Sequence, residues 1–338
     1  MKRLFVIVFL PALFAACHLI SDDLSVCGED LVIDYQLQLH TELSLQLQTE
    51  LMTEMEAPVR KALEKWLAPI FTDKAKDIDL RFFSGDFDDI RHQIQEIIND
   101  NRTSYTIKLP KENYMHLALA NMEDNRQVRL SGGKHSETME LLMPDKEVVD
   151  ALNTGIFSAR LPMEVNDTTK HFDVHLYMVT AAVALVIDTT ACDSLVSVNA
   201  LMDGSAYRFH VRDSLFDFSQ PRTMLMEQVP IDEDEPLEMP ERLAPKADST
   251  HTYACLASVG FATEDDKPWT ITFTAKLTHN RRTITTLTVE DALKAGTLRI
   301  IKVIMNGKGE LIPDESGREV GASVELDWKG GGEHDIEM

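Results

Sequence analysis

From Leu31 onward the chain alternates. Leu31, Ile33, Tyr35, Leu37 and Leu39 share one parity, and Asp34, Gln36, Gln38 and His40 take most of the other. The same parity continues through Leu43, Leu45 and Leu47. A period of two puts one face in a core and the other in water, so this stretch predicts one long strand, or two with a bend. The period then changes. Val59, Leu63, Trp66, Leu67 and Ile70 recur at helical spacing, with Thr53-x-x-Glu56 ahead of them as a capping box and Pro69 at the end. Pro58 fits poorly inside that helix and leaves its start open.

Beyond Ile70, β-type patterns dominate. They predict strands at Ile78–Phe83, Tyr105–Leu109, Tyr114–Ala120 and Ile156–Val165. A second set falls at Phe172–Thr180, Val183–Ile187, Tyr207–Val211, Tyr253–Phe261, Thr270–Leu277, Arg282–Val289, Leu298–Ile304 and Ala322–Trp328. Many short strands separated by polar turns point to antiparallel sandwiches. Gly307-Lys308-Gly309 predicts a hairpin turn. Pro230 to Pro245, with Asp232-Glu233-Asp234-Glu235 inside it, predicts an exposed loop. The polar run Asn166–Lys170 marks a boundary between two units. The expected fold is mostly β: two tandem antiparallel β-sandwich domains with one short helix in the first.

The amino terminus adds an address. Lys2 and Arg3 precede an apolar run from Leu4 to Leu13, and Phe14-Ala15-Ala16 leads into Cys17. This is a secretory signal, too short to span a bilayer as a mature helix. A cysteine directly after small residues resembles a bacterial lipobox, although Phe14 stands where Leu is usual. The resemblance implies cleavage before Cys17 and acylation of that residue, with each buried CH₂ adding about 0.8 kcal/mol of membrane affinity. An ordinary signal peptide with an incidental cysteine is the plainer reading. The expected organisation is a signal peptide over 1–16, a lipidated tether over 17–28, an N-terminal sandwich over 29–166, a C-terminal sandwich over 167–329 and a tail over 330–338. Ser21-Asp22-Asp23 in the tether resembles a lipoprotein export signal, or is a solvated spacer.

Charge narrows the partners. The chain has 338 residues, 56 acidic against 33 basic, and a formal charge of −23. A polyanion repels phosphate backbones, so no nucleic acid is expected, and acyl chains rather than head-group contacts would hold it to a membrane. Hydrophobic residues make up 44% of the chain, enough for real cores.

Chemical signatures in the chain are few. There is no G-x-S-x-G elbow and no H-E-x-x-H pair. Gly132-Gly133-Lys134 lacks the first glycine and the closing Ser or Thr of a P-loop. Asp86-Phe87-Asp88-Asp89 lacks the order of a calcium loop and reads as a solvated turn. The eleven histidines do not cluster; His171 and His175 fall in strand sequence. Trp66, Trp269 and Trp328 read as core rather than as a sugar platform. Cys27, Cys192 and Cys255 are too scattered for a zinc site. Cys192 and Cys255 could pair in an exported protein or remain buried thiols. No catalytic residue, metal, cofactor or small-molecule substrate is expected.

The order and spacing of several pieces resemble the FimB-like anchor lipoproteins of type V fimbriae. These pieces are Cys17 and Cys27 around the tether, Leu31-Val32-Ile33-Asp34-Tyr35, Phe71-Thr72-Asp73, Asp77-Ile78-Asp79-Leu80 and Tyr114 to Asn121. Thr154 to Met163 resembles the family's domain junction, Phe172 to Met178 its second-domain opening, and Val324 to Trp328 its closing strand. The resemblance implies two transthyretin-like domains. It also implies a lipid anchor on the outer membrane facing the exterior, a fimbrial stalk subunit as partner through β-strand complementation, and a role in limiting fimbrial length. There is neither Lys nor Arg from Cys17 to Pro58. That suits an anchor in such a system, where an arginine-specific protease trims the stalk subunits. The alternatives are a surface glycan-binding lipoprotein and a fimbrial tip or accessory subunit.

Overall fold

A computed structural model describes residues 31–39, 56–72, 74–98, 103–166, 171–231, 252–313 and 322–324. Strand β1 (Leu31–Leu39) keeps the predicted parity, with Ile33, Tyr35 and Leu37 buried and Val32, Asp34 and Gln38 exposed. Its predicted continuation through Leu47 lies outside the described residues. Helix α1 (Ala57–Leu67) buries Val59, Leu63 and Leu67. Its N-cap is Glu56 rather than Thr53, and Pro58 stands in its first turn. An amide there has no partner within the helix, so proline is tolerated where it looked misplaced.

The first large sheet uses β1 with β2 (Asp77–Ser84), β3 (Ile90–Ile97), β4 (Ser104–Leu109), β5 (Asn113–Ala120) and, after an excursion, β9 (Phe157–Glu164) and β10 (His171–Met178). The order is β3-β2-β5-β9-β10-β1-β4. Every pair is antiparallel except β1 with β10. Only Tyr177↔Ser158 and Met178↔Phe157 join β10 to β9, and there the sheet turns over on itself. Tyr35 on β1 consequently meets Phe82 on β2 and His116 on β5 edge-on, at 6.2 and 5.3 Å between ring centroids. This is sandwich packing, with the inward residues of two layers meeting in one core.

The excursion between β5 and β9 carries β6 (Arg129–Ser131), β7 (Glu140–Leu142) and β8 (Val148–Val149). The second large sheet follows, from β11 (Thr180–Asp188) and β12 (Leu195–Ser205), through β15 (Arg222–Gln228), β16 (Tyr253–Phe261), β17 (Trp269–Leu277) and β18 (Arg282–Val289), to β19 (Leu298–Met305), β20 (Leu311–Pro313) and β21 (Ala322–Val324). Its order is β18-β17-β12-β15-β16-β11-β19-β20, with β21 on β19 and β8 on β15. Strand β11 lies between β16 and β19 and is buried along nearly its whole length. Its run Thr-Ala-Ala-Val-Ala-Leu-Val-Ile is the unbroken apolar sequence that a strand covered on both faces requires. The predicted turn at Gly307-Lys308-Gly309 closes the β19–β20 hairpin, and Gly309 has φ +81.

A small third sheet joins the halves. It runs β14 (Leu215–Asp217), β13 (Arg208–His210), β7, β6, two strands from each half. The excursion that supplies β6 and β7 is pinned by side chains to β2 and to the turn after it. Asp77 accepts the amides of Met122 and Glu123 at 2.9 and 3.0 Å, and Asp88 accepts the Ser136 amide at 3.1 Å. Asp88 therefore holds a neighbouring segment and is more than the solvated turn expected of it. The change of sheet falls at Val179, between β10 and β11. Phe172–Met178, which the sequence places beyond a boundary at Asn166–Lys170, is thus a strand of the first sheet. Val174, Leu176 and Met178 bury against the same core as β1, its parallel neighbour.

Candidate strand-docking site

Among the described residues, three long strands have a sheet neighbour on one side only: β3, β4 and β18. Such a strand presents a row of unpaired N–H and C=O groups, and proteins usually blunt it with charge, proline or a bulge. Strand β4 turns Lys108 outward. Strand β3 carries Arg91, paired to Glu112 at 3.7 Å, and sends the amides of Gln93 and Gln95 back to the Asp79 carboxylate at 3.0 and 2.8 Å.

Strand β18 has neither defence. After Arg282 it reads Thr-Ile-Thr-Thr-Leu-Thr-Val, without a charge or a proline. Its β-branched residues are stiff in the extended state and favour strand geometry. Ile284 lies outward, 58% exposed. The inner side is fixed: Thr283 Oγ1 donates to the Lys308 carbonyl at 3.0 Å, and Thr285 Oγ1 accepts from the Leu311 amide at 3.3 Å. Its pairing with β17 runs unbroken from Trp269↔Val289 to Lys276↔Arg282. No other described strand pairs with it, so its outer edge is a preformed template for an added strand.

The buried polar groups of the first sandwich are structural. Asp79 takes three N–H bonds from Arg81, at 2.7 to 3.1 Å, besides those of Gln93 and Gln95. Arg81 Nη1 also donates to the Gly133 carbonyl at 3.3 Å. Gly133 has φ +94, and a Cβ there would lie 1.8 Å from that guanidinium, so the position accepts only glycine. His116 stacks on Phe82 with ring centroids 4.2 Å apart. Its Nδ1 lies 2.9 Å from the Arg81 carbonyl, which can only accept, so Nδ1 carries the hydrogen and Nε2 accepts from the Tyr35 hydroxyl at 2.7 Å. Burial lowers the His116 pKa to about 4 and raises that of Tyr35. Both groups are neutral partners in a dry core.

Cys17 and Cys27 lie outside the described residues. Cys192 and Cys255 are both buried, each as a free thiol. Burial pushes the Cys255 thiol up to about 12. Trp269 is buried, and its Nε1 donates to the Asp291 carbonyl at 2.8 Å. Trp66 packs against the core at the rim of a 350 Å³ cavity between α1 and the Val229–Pro230 corner. Trp328 and most of the acidic Pro230–Pro245 segment fall outside the described residues. His171 pairs with Asp173 on β10 at 3.1 Å. No group of three or more His, Cys, Asp or Glu is placed to hold a metal among the described residues, and none of their helices is long and apolar enough to cross a membrane. Sequence reasoning located β18 to the residue but not its position at the end of a sheet. The one available signal was the lack of any charge from Thr283 to Val289.

No protein-family model matches the chain, and no curated protein does. Its fold is shared with solved structures. A candidate adhesin from Bacteroides thetaiotaomicron superposes with a TM-score of 0.53 at 10% identity, over 84% of this chain and 94% of that one. A candidate polysaccharide-binding protein from the same species gives 0.51 at 9%, over 85% and 99%. The fimbrial anchor protein Mfa2 from Porphyromonas gingivalis gives 0.50 at 11%, over 81% and 90%. At these identities the likeness is one of fold: the chain shares its mostly β architecture with these structures, Mfa2 among them.

Proposed function

We propose that this chain is a non-enzymatic surface lipoprotein that fixes a fimbria to the outer membrane and limits its length. Residues 1–16 are removed, Cys17 carries the lipid, and 17–28 form the tether. The two large sheet systems act as transthyretin-like domains outside the cell, and a strand of the stalk subunit adds to the outer edge of β18. The observation that carries this reading is the uncharged, β-branched edge of β18, in a fold that Mfa2 shares. An edge left unguarded in this way is an aggregation hazard unless a partner covers it. Five to eight main-chain bonds and alternate side-chain pockets would give that partner both affinity and register, by the general logic of β-augmentation, with roughly one bond per residue added.

Two substitutions test the two halves of the proposal. Cys17→Ala releases the protein, and any filament on it, into the medium. Ile284→Lys puts a charge on the docking edge and weakens capture of purified fimbriae at least about tenfold, without loss of the membrane anchor. Retention of both protein and filament on cells after Cys17→Ala would refute the lipid anchor. Undiminished capture by Ile284→Lys would refute the docking edge.

A further inference from the structure

The small sheet that joins the two halves borders a groove of 730 Å³ whose chemistry runs against that of the whole molecule. The chain carries 56 acidic residues against 33 basic ones. The groove is nonetheless lined by Arg126, Arg129 and Arg222, with Asp145 as the one carboxylate among the described lining residues. The three arginines come from separate places: the turn before β6, the first residue of β6, and the first residue of β15. Their charge is spread along the groove instead of focused on one point.

The partners of these arginines are weak or missing. Arg129 is exposed, and its side chain has no hydrogen-bond or ion-pair partner among the described residues. Arg126 reaches Glu123 at 3.0 Å, three residues away, but its side chain is 81% exposed, and such surface pairs contribute little. Arg222 is the anchor point. Its side chain is only 13% exposed, its Nη2 meets the almost fully exposed Asp145 at 3.2 Å, and its buried Nε has no hydrogen-bond partner among the described residues. A buried guanidinium N–H left without an acceptor is costly, and a carboxylate arriving in the groove would satisfy it.

Two further features select the ligand. Tyr207 is the aromatic residue of the groove, and guanidinium groups already sit over its ring, that of Arg208 at 4.8 Å and that of Arg222 at 5.6 Å from the centroid. A sugar stacking on that ring would have to compete with them. Strand β6 forms one bank of the groove and, among the described residues, pairs only with β7, through Arg129↔Leu142, Leu130↔Leu141 and Ser131↔Glu140. Its other edge is available to an extended chain. Leu130, Leu142 and Met143 add apolar contact along the same bank.

We propose that this groove binds an extended acidic peptide segment of a protein partner, its carboxylates on Arg126, Arg129 and Arg222 and its backbone alongside β6. Occupancy would tie the two halves together, because β6 and β7 belong to one half and Tyr207 and Arg222 to the other. This site is separate from the β18 edge and does not depend on the anchoring role.

The test uses the full chain purified in detergent and a fluorescein-labelled peptide of about eight residues alternating Glu and Val, read by fluorescence anisotropy. The peptide binds, the Gln-for-Glu version does not, and raising the salt weakens binding as screening requires. Arg126→Glu and Arg129→Glu each lower affinity at least about tenfold with an unchanged circular dichroism spectrum, since both side chains are exposed. Equal binding of the Gln peptide, or unchanged affinity in both variants, would overturn the proposal. So would oligogalacturonate binding that depends on these arginines when the peptide fails to bind, which would assign the groove to an acidic saccharide.

Discussion

His116 gives the sharpest quantitative test of the first sandwich. It is buried with Tyr35 on one ring nitrogen and the Arg81 carbonyl on the other, and its pKa falls from 6.5 to about 4. The unfolded chain therefore binds a proton that the folded chain refuses over the window between those values. Above 6.5 neither state is protonated and the group leaves stability unaffected by pH. As the pH drops below 6.5 the unfolded state gains, and stability is lost until the pH reaches the folded value. With these two pKa values, linkage sets the loss at about 2 kcal/mol by pH 5 and about 3 kcal/mol by pH 4. Other groups titrate over this range, so the measurement is a difference. Urea unfolding of the wild type and of His116→Gln is followed at pH 7.5, 6 and 5. Glutamine can offer its carbonyl to Tyr35 and its amide to the Arg81 carbonyl, so the packing is largely preserved. The variant is less stable at pH 7.5 because the stacking on Phe82 is poorer, and the gap narrows by about 2 kcal/mol at pH 5. Parallel stability curves would show that His116 is solvated or charged in the folded protein, and would refute the tautomer assigned from the Arg81 carbonyl.

Two further outcomes follow from buried groups. Asp79→Ala leaves the Arg81 guanidinium buried without its counter-charge and costs about 3–5 kcal/mol in chemical denaturation, whereas Asp79→Leu combined with Arg81→Met costs much less than that single change. Comparable losses in the single and double variants would mean that packing, not the uncompensated charge, sets the cost. Cys255, with its thiol pushed up to about 12, resists maleimide labelling at pH 7.5 in the native protein and labels rapidly in guanidinium, as Cys192 also does. A failure of both to label in non-reducing guanidinium would show that they are paired after all.

Local pattern announced most of these strands, and the failures share a cause. Tyr253–Phe261 and Arg282–Val289 are read to the residue, because β-branched and apolar runs bounded by turns carry their own signal. Strand β3 is missed because Arg91, His92, Gln93, Gln95 and Glu96 leave it polar on both faces; what recruits Gln93 and Gln95 is Asp79, on the neighbouring strand. Strand β12 is missed because its register breaks between Asp203 and Ser205, where Gly204 takes φ +105. On β2 the core face is legible, but the burial of Asp77, Asp79 and Arg81 is not. The segment that covers them returns from more than forty residues later in the chain. The two candidate sites are of this non-local kind. Being the last strand of a sheet, or one bank of a groove shared by two halves, is a property of topology, and no window along the chain contains it.

The same topology bears on how an anchor would carry load. In the proposed organisation the tether leads into Leu31, the start of β1, and β1 is parallel to β10 over Asp34↔His171 to Leu39↔Leu176. Strand β10 runs at its far end straight through Val179 into β11 of the second sheet. If the membrane holds the beginning of β1 while a filament pulls on the second sheet, the two parallel strands are drawn in opposite directions along their own axes. Their hydrogen bonds then lie across the force and must break together, and the antiparallel contact of β1 with β4 shares the load. The β17–β18 hairpin, pulled at Asp266 and Glu290, would instead open from the Trp269↔Val289 pair one bond at a time. Single-molecule pulling between the tether and Glu290 should therefore rupture at a clearly higher force than pulling between Asp266 and Glu290. Gln36→Pro, which removes one donor from β1, should lower the first force and leave the second unchanged. Equal forces in the two geometries would mean that β1 peels away instead of shearing, and a protein that fails in that way is poorly suited to hold a fimbria.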